Sequence, residues 1–179
     1  MASDMVELIT RGGLRLHVRT AEPTDEVLLA EFFRNVAPDD LRFRFLTGLN
    51  QVRREQLMAM LSVDHERTET FLAFDSGEDK LVAVAMLAGD EQLHTAEVAI
   101  SVRADCKHKG VGWTLLDHVL RFAEQRGFSA VISIESRANR EAIELEREMG
   151  FSVEEVPGDP TLVIVRRPLS AAARPAGAS

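Results

Sequence analysis

Between residues 69 and 134 the apolar residues change period twice. Three strand-like runs come first, at residues 69–74, 81–88 and 95–102. They are joined by the turn segments Ser76-Gly77-Glu78-Asp79 and Gly89-Asp90-Glu91. From Gly110 the spacing becomes helical: Val111, Leu115, Val119 and Phe122, with Leu116, Leu120 and Ala123, fall on one face. Gly127 ends that helix as its C′ residue. Val131-Ile132-Ser133-Ile134 then reads as a compact buried strand. Strands joined by short turns are antiparallel neighbours. Strand, helix, strand requires a parallel pair closed by a right-handed crossover. One sheet must therefore hold both kinds of pairing, which is an α/β fold with a mixed sheet.

The flanking segments extend that sheet and supply its helices. Residues 14–20 alternate apolar and polar, as a strand with one wet face does. Pro23 followed by Thr24-Asp25-Glu26 marks a helix start with Thr24 as the cap, running to about Val36. Ala37-Pro38-Asp39-Asp40 breaks it and caps a short helix over 41–45. Residues 51–62 are helical in pattern, with Val52, Leu57, Met60 and Leu61 apolar. A last helix is expected over 138–149, with Ala142, Leu145 and Met149 inward and Gly150 at its end. Strands at 151–156 and 161–167 close the domain around Pro157-Gly158-Asp159-Pro160. The expectation is one domain over residues 10–168, with a central sheet of about six to seven strands and helices on both faces. The Ala-, Pro-, Gly- and Ser-rich tail over 169–179 reads as disordered.

Against this frame one short stretch stands out. The chain is acidic, with 29 Asp and Glu against 21 Lys and Arg. That balance argues against a nucleic-acid binder, which needs a broad basic surface. It suits a basic partner such as a lysine-bearing protein. Yet Cys106-Lys-His-Lys-Gly-Val-Gly-Trp113 gathers positive charge at a helix start. Unpaired N–H donors and the helix dipole make such a start attractive to an anion, and glycines let a phosphate approach the backbone. The other reading is an ordinary flexible loop, and spacing alone does not separate the two. No Gly-Lys-Ser/Thr is present, which excludes a P-loop. The third glycine of a dinucleotide fingerprint is missing as well.

Cys106 is the single cysteine, so no intrachain disulfide can form, and a reducing, cytoplasmic setting is expected. The first residues do not read as a signal peptide. No apolar run reaches the ~18 residues of a membrane span. The five histidines show no metal-binding spacing.

Two motifs together resemble the GNAT family of acyl-CoA-dependent N-acetyltransferases. The family's phosphate loop, Gln/Arg-x-x-Gly-x-Gly/Ala, appears as Lys107-His108-Lys109-Gly110-Val111-Gly112, with Lys at the first position. Its second signature, Asn-x-x-Ala-x-x-Leu-Tyr-x-x-x-Gly-Phe, appears as Asn139, Ala142, Leu145, Glu146, Gly150 and Phe151. The family's frequent general acid is the tyrosine of that signature. Glu146 stands there, and the chain contains no tyrosine. Residues 37–45, Val63-Asp64 and Ala96-Glu97-Val98-Ala99-Ile100 are further similar to the catalytic domain of bacterial Pat-type protein lysine acetyltransferases.

The resemblance implies a GNAT-like fold, acetyl-CoA as co-substrate and an amine acceptor, protein lysine being the first choice. A small-molecule amine acetyltransferase of the same fold and a non-catalytic acyl-CoA-sensing module are the alternatives. It also implies roles for individual residues. Glu97 becomes the general base, although spacing alone favours a surface strand glutamate paired with a lysine. Ile100, Ser101 and Val102 become the splayed strand end whose backbone binds the pantetheine arm. The loop 107–112 becomes the pyrophosphate site, and Asn139 a contact to the pantetheine or thiol region. Trp113 either packs beside the phosphate loop or belongs to the core. Glu146 reads better as part of a charged face with Glu141, Glu144 and Glu148 than as an acid. Arg42 and Arg44 read as a solvated helix face rather than as a border of the acceptor entrance. Asp64-His65 is set aside as a dyad, since chain neighbours rarely face each other.

Overall fold

The computed structural model describes residues 4–46 and 51–170. One sheet holds eight strands: β1 (Val6–Ile9), β2 (Arg15–Thr20), β3 (Thr68–Asp75), β4 (Lys80–Gly89), β5 (Thr95–Val102), β6 (Ala130–Ser136), β7 (Ser152–Val156) and β8 (Asp159–Pro168). Their spatial order is β1-β2-β3-β4-β5-β6-β8-β7. Every neighbouring pair is antiparallel except β5 with β6, which is parallel. The helices are α1 (Glu26–Arg34), α2 (Pro38–Phe45), α3 (Arg54–Leu61), α4 (Val111–Arg126) and α5 (Arg140–Glu148). The meander and the crossover expected from the change of period are both present. The sheet has one strand more than the upper end of the expectation. That strand is β1, only four residues long and mostly exposed, too short for its alternation to stand out.

Alternation along β3 sorts the two layers. Phe71 and Ala73 pack with Val111, Leu115 and Val119 of α4, while Leu72 and Phe74 pack with Leu29 and Phe32 of α1 and Leu57 and Met60 of α3. A register shift between β3 and β4 pairs Ala73 with Ala83 and Phe74 with Leu81, leaving Val82 unopposed. This bulge lets Val82 and Ala83, adjacent in the chain, join the same core. Leu145, Met149 and Phe151 bring α5 to the α4 side.

Two local expectations change. Thr24 does not cap α1. Asp25 does the work at that turn: its carboxylate accepts the Glu22 N–H at 2.7 Å and both Arg19 Nη groups at 2.7 and 2.8 Å. The Arg19 hydrogen bonds hold the Asp25 carboxyl below the ordinary range despite its burial. They also tie the end of β2 to the start of α1. The tail begins later than its composition suggests. Leu169 is buried, and its N–H donates to the Ser129 carbonyl at 2.8 Å. Residues 171–179 lie outside the described residues.

The parallel pair is short. Only Thr95↔Ala130, Ala96↔Val131 and Glu97↔Ile132 are in register, and beyond them β5 and β6 separate. β4 still accompanies β5 from Ala96 to Val102, and β8 accompanies β6 from Ala130 to Ser136. The sheet therefore opens on one side of each strand without either strand losing its other partner.

Gly89 closes β4 beneath this opening. A Cβ there would run into the ring of Phe128, which is almost wholly buried. Overpacking of this kind costs about 1–3 kcal/mol. Gly89→Ala is expected to lower the thermal midpoint by about 2–4 °C for each kcal/mol lost, as measured by calorimetry. An unchanged midpoint would show that the ring can move aside.

Candidate active site

Where β5 and β6 part, a cleft of about 440 Å³ runs from the end of β5 to the start of α4 and across to α5. Glu97, Ile100, Ser101, Val102, Lys107, His108, Gly110, Val111, Gly112, Trp113 and Asn139 all line it. Residues predicted from separate motifs thus share one cavity. Lys109 is the exception: it is exposed and lies outside the cavity wall.

At one end the cleft meets the start of α4. Gly110 is the N-cap residue, with φ +78°, a left-handed conformation that favours glycine, and no side chain caps the helix. The first N–H groups of α4 therefore face the cleft without an intrahelical acceptor. Gly112 is different. A Cβ there would meet only Val102 Cγ2, at an ordinary 3.6 Å, so packing within the protein does not demand glycine. A bare backbone at this point suits a ligand group lying close to the helix start. Trp113 serves both of its expected roles, since it packs on the α4 core and lines the cleft. The Arg11 guanidinium stacks 4.1 Å from its ring centroid and adds a cation that the sequence did not single out.

The loop is less basic than its sequence suggests. Lys107 Nζ lies 2.8 Å from Asp40 Oδ2 and 3.3 Å from Glu141 Oε2. Desolvation lowers the Lys107 pKa, but the bonds from Asp40 and Glu141 outweigh it and leave the ammonium above its usual value. His108 Nε2 stands 3.8 Å from Glu141 Oε1. The backbone donors are thus the part of the loop not already matched by side chains. Cys106 is no activated thiol: burial, followed by the neighbouring Asp105 carboxylate, pushes its pKa up.

At the other end stand three carboxyls from three elements. Glu97 is exposed and sits at the last paired position of β5. Glu135 lies on β6, where its Oε1 accepts from Ser133 Oγ at 2.8 Å and its Oε2 from Asn139 Nδ2 at 3.1 Å. Asn139, expected beside a ligand, therefore orients Glu135 while also lining the cleft.

Glu146 on α5 is the main correction. It does not share the solvated face of Glu141, Glu144 and Glu148 but is 6 % exposed and lines the cleft. Burial first, then the Glu135 charge and a hydrogen bond to it, push the Glu146 carboxyl up to about 9. It therefore keeps its proton at pH 7. Its position was legible: Ala142, Glu146 and Met149 recur at helical spacing on the inward stripe. Among the described residues, the buried side-chain polar atoms without a partner in the chain are Ser101 Oγ and Glu146 Oε2. Both belong to the cleft wall, which suits a polar ligand between them.

Arg44 also departs from the solvated reading. It is half-buried in the cleft wall, where desolvation lowers its pKa while Glu97 and Glu135 attract its charge. Arg42 is exposed and paired with Asp39. Asp64 and His65 do not meet: Asp64 Oδ1 accepts the N–H groups of Glu66, Arg67 and Thr68, and His65 faces Glu69 at 2.9 Å. Among the described residues no group of three His, Cys, Asp or Glu side chains is placed to hold a metal ion.

Comparison with known proteins agrees with this geometry. The model of the acetyltransferase (GNAT) family matches residues 30–151. The acetyltransferase PA5475 of Pseudomonas aeruginosa is 26% identical over 156 residues, covering 86% of this chain and 84% of its own length. The GNAT domain of S. lividans PAT superposes with a TM-score of 0.84 at 18% identity, covering 92% of this chain and 97% of that one. A GCN5-related N-acetyltransferase from Kribbella flavida gives a TM-score of 0.69 at 23% identity, covering 86% and 98%.

The raised Glu146 carboxyl has a consequence for stability. Unfolded, the group titrates near its ordinary 4.5. Folded, it holds its proton well above that value. Between the two the unfolded chain binds fewer protons, so the Glu146 contribution to stability falls as pH rises. Glutamine has no such dependence. The thermal midpoint of Glu146→Gln should gain on the wild type between about pH 5 and about pH 8, by about 2 °C or more. A difference independent of pH would contradict a proton held at Glu146.

Proposed function

The chain belongs to the acetyltransferase (GNAT) family, and on that premise we propose that it transfers an acetyl group from acetyl-CoA to a protein lysine, with Glu97 as general base. The observation that carries the reading is the position of Glu97. It is the last residue of β5 paired with β6, so its carboxylate stands where the cleft begins. A lysine ammonium has no lone pair and must lose a proton before it can attack a carbonyl carbon. A carboxylate at the mouth of the cleft can take that proton directly or through one water.

Acetyl-CoA, when bound, supplies an acetyl group already activated as a thioester. The start of α4 would receive its pyrophosphate on the uncapped amides of Val111, Gly112 and Trp113. Alternate N–H groups of β5 from Ile100 to Val102 point into the gap that β6 leaves and can bond the pantetheine arm. The same edge supplies donors that polarise the thioester carbonyl. Holding both reactants in one cleft makes the attack effectively intramolecular.

A lysine acceptor is supported by charge. Asp40, Glu97, Glu135, Glu141, Glu144 and Glu148 line the cleft, against Arg44 and Lys107. The chain as a whole carries a formal charge of −8, which favours approach of a cationic side chain on a basic protein. The domain we assign to this activity is residues 10–168, extended at its start by β1.

Glu97→Gln should reduce acetyl transfer to a lysine peptide by roughly 10²–10⁴-fold while leaving acetyl-CoA affinity unchanged by calorimetric titration. Near-normal turnover would remove Glu97 from the role. Transfer to polyamines but to no protein or peptide would replace lysine by a small amine, and tight binding without transfer would indicate a sensor.

A further inference from the structure

The reaction needs a second proton movement that Glu97 does not provide. When the thioester is cleaved, the C–S electron pair stays on sulfur, and the thiolate must be protonated to leave as a thiol. The chain has no tyrosine. Among the other cleft residues, Cys106 is held as a buried thiol beside Asp105, and Lys107 is engaged by Asp40 and Glu141. Glu146 stands in the wall as a buried carboxyl with an unmatched oxygen.

Resting on the acetyl-transfer reading above, we infer that Glu146 is the proton donor to the departing sulfur and that Glu135 is its positioning residue. The geometry carries this. The Glu146 side chain is more than nine-tenths buried, lines the cleft and has one oxygen, Oε2, without a partner in the chain. Glu135, whose charge acts on Glu146, is itself fixed by Ser133 and Asn139. A buried carboxyl with an unmatched oxygen costs stability that a well-packed apolar side chain would not. Its place in the wall of a substrate cleft gives that cost a use.

The balance is complete. The nitrogen–acetyl bond forms as the carbon–sulfur bond breaks. The substrate nitrogen gives up two protons in becoming an amide. Glu97 takes the first and releases it to solvent. Sulfur takes a proton from Glu146, and the second nitrogen proton restores Glu146 through water. One amide, one thiol and one solvent proton result. Proton transfer is efficient when donor and acceptor are matched in pKa, and a free cysteine thiol titrates at about 8.5. An ordinary glutamate would be ionised at neutral pH, and Glu146 is not, because burial and Glu135 keep it protonated. The charged groups facing this pair are Glu135 itself, from β6, and Arg44, from α2, which acts on Glu135 and Glu97 across the cleft.

The test uses the full chain, acetyl-CoA and Nα-protected lysine as acceptor. Two readouts are followed, the pH profile of kcat and the titration of 13C-labelled glutamate carboxyls by NMR in the free protein. Wild type should lose kcat at alkaline pH as Glu146 ionises, and one glutamate signal should titrate in the same range. Glu146→Gln should lower kcat by about 10²-fold, the lower end of acid catalysis. It should leave KM for acetyl-CoA within about twofold and abolish both the alkaline limb and the NMR signal. Glu135→Gln removes the neighbouring charge, so it should move limb and signal together to lower pH. A purely structural role would produce no such shift. If Glu146→Gln keeps wild-type kcat and the alkaline limb, the inference is overturned while acetyl transfer stands. If wild type acetylates neither this lysine nor any amine, the proposed function fails and takes the inference with it.

Discussion

The register between β5 and β6 lasts for three residue pairs and then stops at Glu97↔Ile132. Almost everything else about the molecule follows from that limit. β5 keeps β4 as a partner along its whole remaining length, and β6 keeps β8. Each strand therefore stays extended while the edge between them stands open. Backbone groups on an open edge need partners from elsewhere. In this chain the crossover helix α4 begins at the far end of the gap, so its first amides join the edge in presenting unpaired donors to one cavity. The parallel pair and its right-handed crossover supply both the opening and the helix start that faces it.

Charge is distributed along that cavity with a purpose. Donors dominate at the α4 end and carboxyls at the point where the strands part. Within the carboxyl group, environment separates the roles. Glu97 is exposed on β5, whereas Glu146 is enclosed by α5 and faces Glu135. Two residues of one chemical type thereby stand in opposite environments, one open to solvent and one enclosed and protonated. Lys107 is drawn into the wall by Asp40 and Glu141, which leaves the helix start with its backbone donors unmatched.

Much of this was legible in the sequence, and the reasons are specific. The change of hydrophobic period at Gly110 announced the mixed sheet. Gly110 and Gly112 at the start of α4, and Glu97 through the family resemblance, marked the two ends of the cleft. β1 is not legible because four residues are too few to establish a period. Thr24 was expected as a cap because capping propensity ignores what lies across the fold, where Asp25 instead binds Arg19 on β2 and the Glu22 N–H. Glu146 was assigned to the solvated face because charged residues are rarely buried, although its spacing from Ala142 and Met149 placed it inward. Arg44 was misread for the same reason. In both cases the site made the exception, and only the folded arrangement of three elements reveals what compensates a buried charge or a buried acid.

The account stands on the claim that the opening between β5 and β6 is where acetyl-CoA lies. Amide hydrogen exchange with and without acetyl-CoA reads this at each residue. The account predicts new protection at Val98–Val102 and at Val111–Trp113, with little change on β1, β2 and β7. Protection elsewhere, with exchange along β5 and at the start of α4 unaltered at saturating acetyl-CoA, would contradict it.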